Sequence, residues 1–227
     1  MKLLERYLCA LVVTILCFLI PHYSLAQNIS LPSIKTPEGY LASLLINEVP
    51  FPGEHGYVSE EDTKAAMRQI LAVLVNRIEN IPDSYIQQYI AGVSTTNILM
   101  VITAGGKRGQ VDGFYFDSKT GLAVVERVTR RITYLTSLAN KGKPGRFARL
   151  LNYAVSLATD YYKIRKTTDD LYKNISRIGS TPVTGYGYSW MTDSRENHPR
   201  GNFITIPDTL RGSLGRNRFF TLRKNPL

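Results

Sequence analysis

Along this chain apolar residues recur every three to four positions in a series of segments and alternate with polar ones in only two. Leu41, Leu44 and Leu45 share one side of a short predicted helix over Glu38 to Asn47. Ser59-Glu60-Glu61-Asp62 is a strong helix start, with Ser59 placed to cap and the acids favoured at the positive helix end. From there Met67, Ile70, Leu71, Leu74 and Ile78 keep helical spacing until Pro82-Asp83 breaks it. Shorter helices are expected over Tyr85 to Ile90 and Thr95 to Thr103, the second stopped by Gly105-Gly106. Val125, Val128, Ile132, Leu135 and Leu138 form the stripe of a helix expected over Leu122 to Leu138. A last one runs from Arg146 to about Lys173, with Phe147, Leu150, Leu151, Ala154, Leu157 and Ala158 inward. Past Gly179 the composition turns to Gly, Pro, Tyr and Trp, and only Asn202 to Ile206 and Arg218 to Leu222 read as strands. The expectation is a mainly α fold of the α+β class, six or seven helices with a small β-rich C-terminal segment.

The first 26 residues read as an export signal. Lys2 and Arg6 precede the apolar run Leu8 to Ile20, and Ser24-Leu25-Ala26 is a small-residue cleavage site. Pro21 and His22 cut the run short of a comfortable membrane span, although an uncleaved N-terminal anchor stays open as the alternative. Residues 27 to 37 are linker-like, and residues 38 to 227 form one domain. Both cysteines, Cys9 and Cys17, fall inside the signal. The exported chain therefore has no disulfide, thiolate metal site or cysteine nucleophile, and its core must hold it. Its expected location is the periplasm, the cell envelope or the extracellular space.

Removing Lys2, Arg6 and Glu5 takes the formal charge from +10 to +9. The excess lies mainly in Arg127 to Lys173 and Arg195 to Lys224, whereas Gly53 to Asp62 is acidic. Such a protein is drawn to polyanions, including wall polymers, anionic lipid and nucleic acid, and charge alone does not choose among them.

The motifs exclude several chemistries. Outside the signal there are two histidines, His55 and His198, in separate turn-rich regions and without the two-histidine helix pattern of zinc enzymes. There is no Gly-x-Ser-x-Gly elbow and no phosphate-binding Gly-Lys-Ser/Thr loop, so no nucleotide, cofactor or metal is expected. Carboxylates remain. Glu48 differs from the others because Leu44, Leu45, Ile46 and Phe51 surround it in sequence. Burial among such groups raises a carboxyl pKa, as a general acid requires. A solvent-facing residue at a helix end is the other reading of Glu48. The Asn47 amide beside it could orient the acid or cap the helix.

Glu48, the following Gly53-Glu54 pair and a helix ending Val75-Asn76-Arg77-Ile78 resemble the opening of bacterial cell wall hydrolases of the spore-cortex-lytic enzyme type. The loop Gly109-Gln110-Val111-Asp112-Gly113-Phe114 is similar to the Gly-Gln-Phe-type loop of that family. Gly215-Arg216-Asn217-Arg218-Phe219-Phe220 loosely matches its Gly-Asn-His-Arg-Phe-Tyr-like end. Together these cover most of Glu38 to Phe220. The chain departs from the family in the inserted Val49-Pro50-Phe51-Pro52, in Val111-Asp112 where an aromatic and a small polar residue are usual, in the missing histidine, and in the longer helical region Arg127 to Lys173. The resemblance implies a lysozyme-like fold and a lytic transglycosylase that cuts the glycan strands of peptidoglycan with Glu48 as its single acid/base. It implies that Gln110 binds substrate or intermediate.

Asp112 could accept hydrogen bonds from sugar hydroxyls or simply cap an Asp-Gly turn. Tyr186, Tyr188 and Trp190 form a glycine-loosened aromatic loop suited to stacking on sugars, or equally a β-segment packed on the helices. Arg216 and Arg218 would attract charge or pair with acids near the cleft. Two other functions stay open: a catalytically inactive protein that binds wall glycan, another anionic wall polymer or an envelope partner, and, less favoured, a basic protein that binds nucleic acid or anionic lipid. The sequence is silent on oligomeric state.

Overall fold

The computed structural model describes residues 28–141, 145–164, 169–194 and 198–226. The expected export signal lies outside them. Six helices and small antiparallel sheets are present among the described residues, an α+β fold. The helices are α1 (Pro37–Asn47), α2 (Glu60–Glu79), α3 (Gln87–Ala91), α4 (Ile98–Thr103), α5 (Glu126–Lys141) and α6 (Arg146–Ile164).

Helix α1 is the centre of the molecule. Every residue from Gly39 to Ile46 is buried, so this helix is enclosed on all sides rather than laid on a surface. It starts where Thr36 Oγ1 accepts the Gly39 amide at 3.1 Å and Pro37 supplies a preset first turn. Beyond Glu38 in its first turn, Tyr40 and the buried Ser43, its polar groups gather at its far end, in Asn47 and Glu48. Helix α6 packs along it with a buried face of Ala148, Leu150, Leu151, Ala154, Ala158 and Tyr161. Helix α2 begins as its sequence signals, with Ser59 Oγ accepting the Asp62 amide at 3.0 Å. One continuous apolar cluster joins α1, α2 and α4 to α6 with the C-terminal strands.

The C-terminal sheet is antiparallel, in the order β5 (Ser189–Thr192), β8 (Asn217–Leu222), β6 (Phe203–Thr205), with β7 (Ser213–Leu214) also paired to β8. Trp190 stands opposite Phe219, and Leu214 opposite Asn217. Helix α2 touches both β5 and β7, which brings the sheet beside the end of α1.

Three expectations change. The helix expected from Leu122 begins instead at Glu126, because Gly121–Val124 is a strand (β2) paired with Phe114–Asp117 (β1). Asp117 Oδ1 takes the amides of Lys119 and Thr120 at 2.9 and 2.8 Å, Gly121 adopts a positive φ, and the hairpin closes. The Tyr40 hydroxyl, bonded to Tyr115 O and Ala123 O at 3.1 and 3.0 Å, fastens that hairpin to α1. The helix expected to reach Lys173 ends at Ile164, and Asp170 instead accepts bonds from Gln69, Asn76 and two backbone amides. The sheet also gains β5 and β7 beyond the two expected strands, and β3 (Arg177–Ile178) pairs with β4 (Thr181–Pro182) in a separate short hairpin. Among the described residues no helix is long and apolar enough to cross a membrane.

Candidate active site at the end of α1

Glu48 caps the C-terminus of α1, its backbone N–H donating to Leu44 O at 3.0 Å. Leu44, Leu45 and Ile46 before it and Val49 to Phe51 after it are buried, so the chain leaves the core at this residue. The side chain keeps part of its surface on a cleft of about 760 Å³, while dense protein encloses the rest. Both carboxyl oxygens are held. Trp190 Nε1 donates to Oε2 and Asn47 Nδ2 to Oε1, each at 3.0 Å. Asn217 Nδ2 donates to the Glu48 carbonyl at 2.7 Å, tying the strand β8 to the same residue. Burial pushes the Glu48 carboxyl above its ordinary value. The Trp190 and Asn47 bonds and the charges of Arg127 and Arg131 oppose that push without cancelling it.

The two arginines leave the carboxyl unpaired because other groups occupy them. Arg131 donates to Ile46 O at 2.7 Å and Val49 O at 2.9 Å, satisfying carbonyls at the end of α1. Its remaining donors reach Glu54 Oε1 at 3.2 Å and Oε2 at 2.6 Å. Glu54 Oε2 also accepts the Phe51 amide at 2.7 Å, so the Gly53-Glu54 pair closes the turn that follows Glu48. Arg127 pairs with Asp112 beside the cleft at 2.5 Å.

The end of α2 positions the facing wall. Asn76 Nδ2 donates to Gly187 O at 2.9 Å and to Asp170 at 2.5 Å, and Asp170 accepts the Gly187 amide at 2.7 Å. Arg77 is 4% exposed; its Nε donates to Tyr188 O at 2.7 Å and its Nη1 to Gln110 Oε1 at 3.1 Å. Its guanidinium carbon lies 5.5 Å from the centre of the Trp190 ring. Burial lowers the Arg77 pKa to about 10, which leaves it charged at neutral pH. The Asn-Arg pair thus fixes the entry to β5 and, through it, the indole that meets Glu48.

The structure brings Glu48, Gln110, Asp112 and Trp190 together on one cleft, with His55, Arg127, Arg131 and Arg216. It does not bring Tyr186 and Tyr188 there. Tyr188 is fully buried with its hydroxyl donating to Asn80 O, and both tyrosines line a separate cavity of about 580 Å³ beside Pro82 and Lys224. Regular alternation would put residues 186, 188 and 190 on one face, but β5 begins only at Ser189, after a bend at Gly185-Tyr186, and the tyrosine rings leave the Glu48 side. Arg218 pairs with Asp193 and Asp208, whereas Arg216 faces the cleft.

Sequence reasoning passed over Arg131, and it quoted Arg77 and Glu54 in motifs without giving them a role in the site. Their signal was present: Arg131 lies three residues after Val128 and four before Leu135, on the apolar stripe of α5, and Arg77 follows Ile70 and Leu74 in the same way on α2. Among the described residues no group of three or more His, Cys, Asp or Glu is placed to hold a metal. No family model matches the chain, and no curated protein or solved structure matches it.

Proposed function

We propose that this protein is an exported enzyme that cleaves the glycan strands of peptidoglycan as a lytic transglycosylase, on a lysozyme-like fold, with Glu48 as its acid/base. The observation that supports this most is a lone carboxyl at the end of a buried helix, raised by its surroundings, held at both oxygens and open to a cleft. A protonated Glu48 gives its proton to the oxygen linking N-acetylmuramic acid to N-acetylglucosamine as the bond from that oxygen to the muramoyl C1 breaks. The muramoyl 6-hydroxyl then attacks C1, the Glu48 carboxylate takes the hydroxyl proton, and a 1,6-anhydro ring closes. One enzyme carboxylate suffices because the nucleophile belongs to the substrate, unlike the two-carboxylate scheme of most glycoside hydrolases. The Trp190 and Asn47 donors stabilise the carboxylate between the two proton transfers. With its oxygen turned to Arg77, Gln110 has amide N–H groups without a partner among the described residues, available to donate to a sugar or acetamide oxygen.

Purified protein is expected to release anhydro-muropeptides from sacculi, read by mass spectrometry, and Glu48→Gln to release them about a thousandfold more slowly while keeping its circular dichroism. Wild-type rates from Glu48→Gln would sink the assignment. A second reading, a glycan-binding protein without activity, draws on Val111, which offers no ring to a sugar where the family has an aromatic. Its expected outcome is retention on sacculi with no released fragments.

A further inference from the structure

Of the acids and bases lining the cleft, four pair off, and Glu48, His55 and Arg216 remain. Arg131 is bound to Glu54 and Arg127 to Asp112. Arg216 is exposed on the cleft and has no carboxylate partner among the described residues. Once Glu48 is protonated the cleft therefore carries an uncompensated guanidinium, next to the exposed His55.

The backbone beneath Arg216 is also unusual. Gly215 and Arg216 are the two residues between Leu214 and Asn217, which pair across the β7–β8 hairpin, and both have positive φ, 50° and 61°. A tight hairpin turn of this kind favours Asn or Gly in both places, and a long side chain there costs about 1 kcal/mol or more. The cost is borne where the side chain is aimed. The stem of Arg216 lies against Gly56, where an added Cβ would come within 2.7 Å of the Arg216 Cβ, so the glycine opposite gives the arginine its passage along the wall.

We propose that Arg216 makes the cleft selective for glycans that carry a carboxylate beside the sugar backbone. The inference rests on the glycan-cleaving reading and deepens it. A guanidinium fork binds carboxylate through two parallel bonds, which no neutral sugar substituent matches. In peptidoglycan that carboxylate comes either from the free lactyl group of a muramic acid stripped of peptide or from the stem peptide of an intact strand.

The test compares binding of three oligosaccharides by calorimetry in the Glu48→Gln background, which keeps each ligand intact. They are a peptide-stripped muramyl tetrasaccharide, its peptide-bearing form, and the neutral N-acetylglucosamine tetramer. At low salt at least one muramyl ligand is expected to bind about tenfold more tightly than the neutral tetramer. The tighter of the two identifies the source of the carboxylate. Adding Arg216→Gly, which the turn accommodates, erases the preference and leaves the neutral tetramer unchanged, whereas Arg216→Lys keeps part of it. Equal binding of charged and neutral ligands, or a preference that survives Arg216→Gly, overturns the proposal while leaving glycan cleavage standing. If no oligosaccharide binds, the glycan reading falls with it.

Discussion

Glu48 and Glu60 stand at the ends of successive helices, one closing α1 and the other opening α2, and their carboxyls are driven in opposite directions. Glu60 is bonded directly by Arg149 at 2.8 Å and Lys64 at 2.9 Å, and is pulled down to about 2, chiefly by Arg149. Glu48 also has two arginines nearby, yet burial prevails and its pKa rises. Proximity to cations is common to both sites. The difference is that the cations near Glu48 are spent on Glu54, Asp112 and backbone carbonyls, so they act on it only from a distance. Helix direction adds to the contrast, since the amide dipoles favour a charged carboxylate at the start of α2 and disfavour it at the end of α1.

The sharpest way to break this contrast is at Glu48 itself. Glu48→Gln is expected to lower glycan cleavage ~10³-fold, within the usual range for loss of a general acid, whereas Glu60→Gln leaves the rate within about twofold. Release of the arginine clamp comes next. Arg131→Met removes four hydrogen bonds and strands the partly buried Glu54, at a cost of about 2–3 kcal/mol in urea unfolding. A double variant with Glu54→Gln is expected to recover part of that loss.

The pH dependence of stability separates the two acids by sign. The raised Glu48 carboxyl favours folding fully below its ordinary value of 4.5, and that contribution is lost as pH rises through its folded value. Glu48→Gln is therefore expected to be more stable than wild type at pH 7 but not at pH 4, read as thermal midpoints. Glu60 has the reverse behaviour, with stability present above 4.5 and lost as pH falls toward about 2. Because the ion pair lies at the surface, Glu60→Gln is expected to cost only about 0.5 kcal/mol at pH 7 and progressively less as pH falls toward 2. The smallest change tunes the acid. Trp190→Phe removes a donor that holds the Glu48 pKa down, so the alkaline limb of the pH–rate profile is expected to move to higher pH.

Local signals in the sequence read the parts of the fold that depend on local physics. Ser59 with its following acids marked the start of α2, and the apolar run ending at Asn47-Glu48 marked a carboxylate leaving the core. Where tertiary contacts overrode local pattern, the reading failed. Leu122 to Val125 has the look of a helix start, but Tyr40 and the Asp117 turn draw it into a hairpin. Asp170 looked like part of a long helix, yet it serves as the hub that joins Gln69, Asn76 and the Gly187 backbone from three regions. The candidate site was legible at Glu48, Gln110, Asp112 and Trp190, all on or beside short motifs. Tyr186 and Tyr188 were grouped with Trp190 by sequence proximity, and the local pattern does not reveal that regular strand geometry begins only at Ser189, after a bend.

Trp190, whose indole meets the Glu48 carboxyl and lies beside Arg77, is the single tryptophan of the chain. Its fluorescence, excited selectively over the tyrosines, originates at one place, so quenching or a spectral shift reads that place without background. A titration of that emission records the protonation of the acid itself, and a stopped-flow trace records the arrival of a ligand in the cleft. The protein carries its own optical electrode, with no label needed.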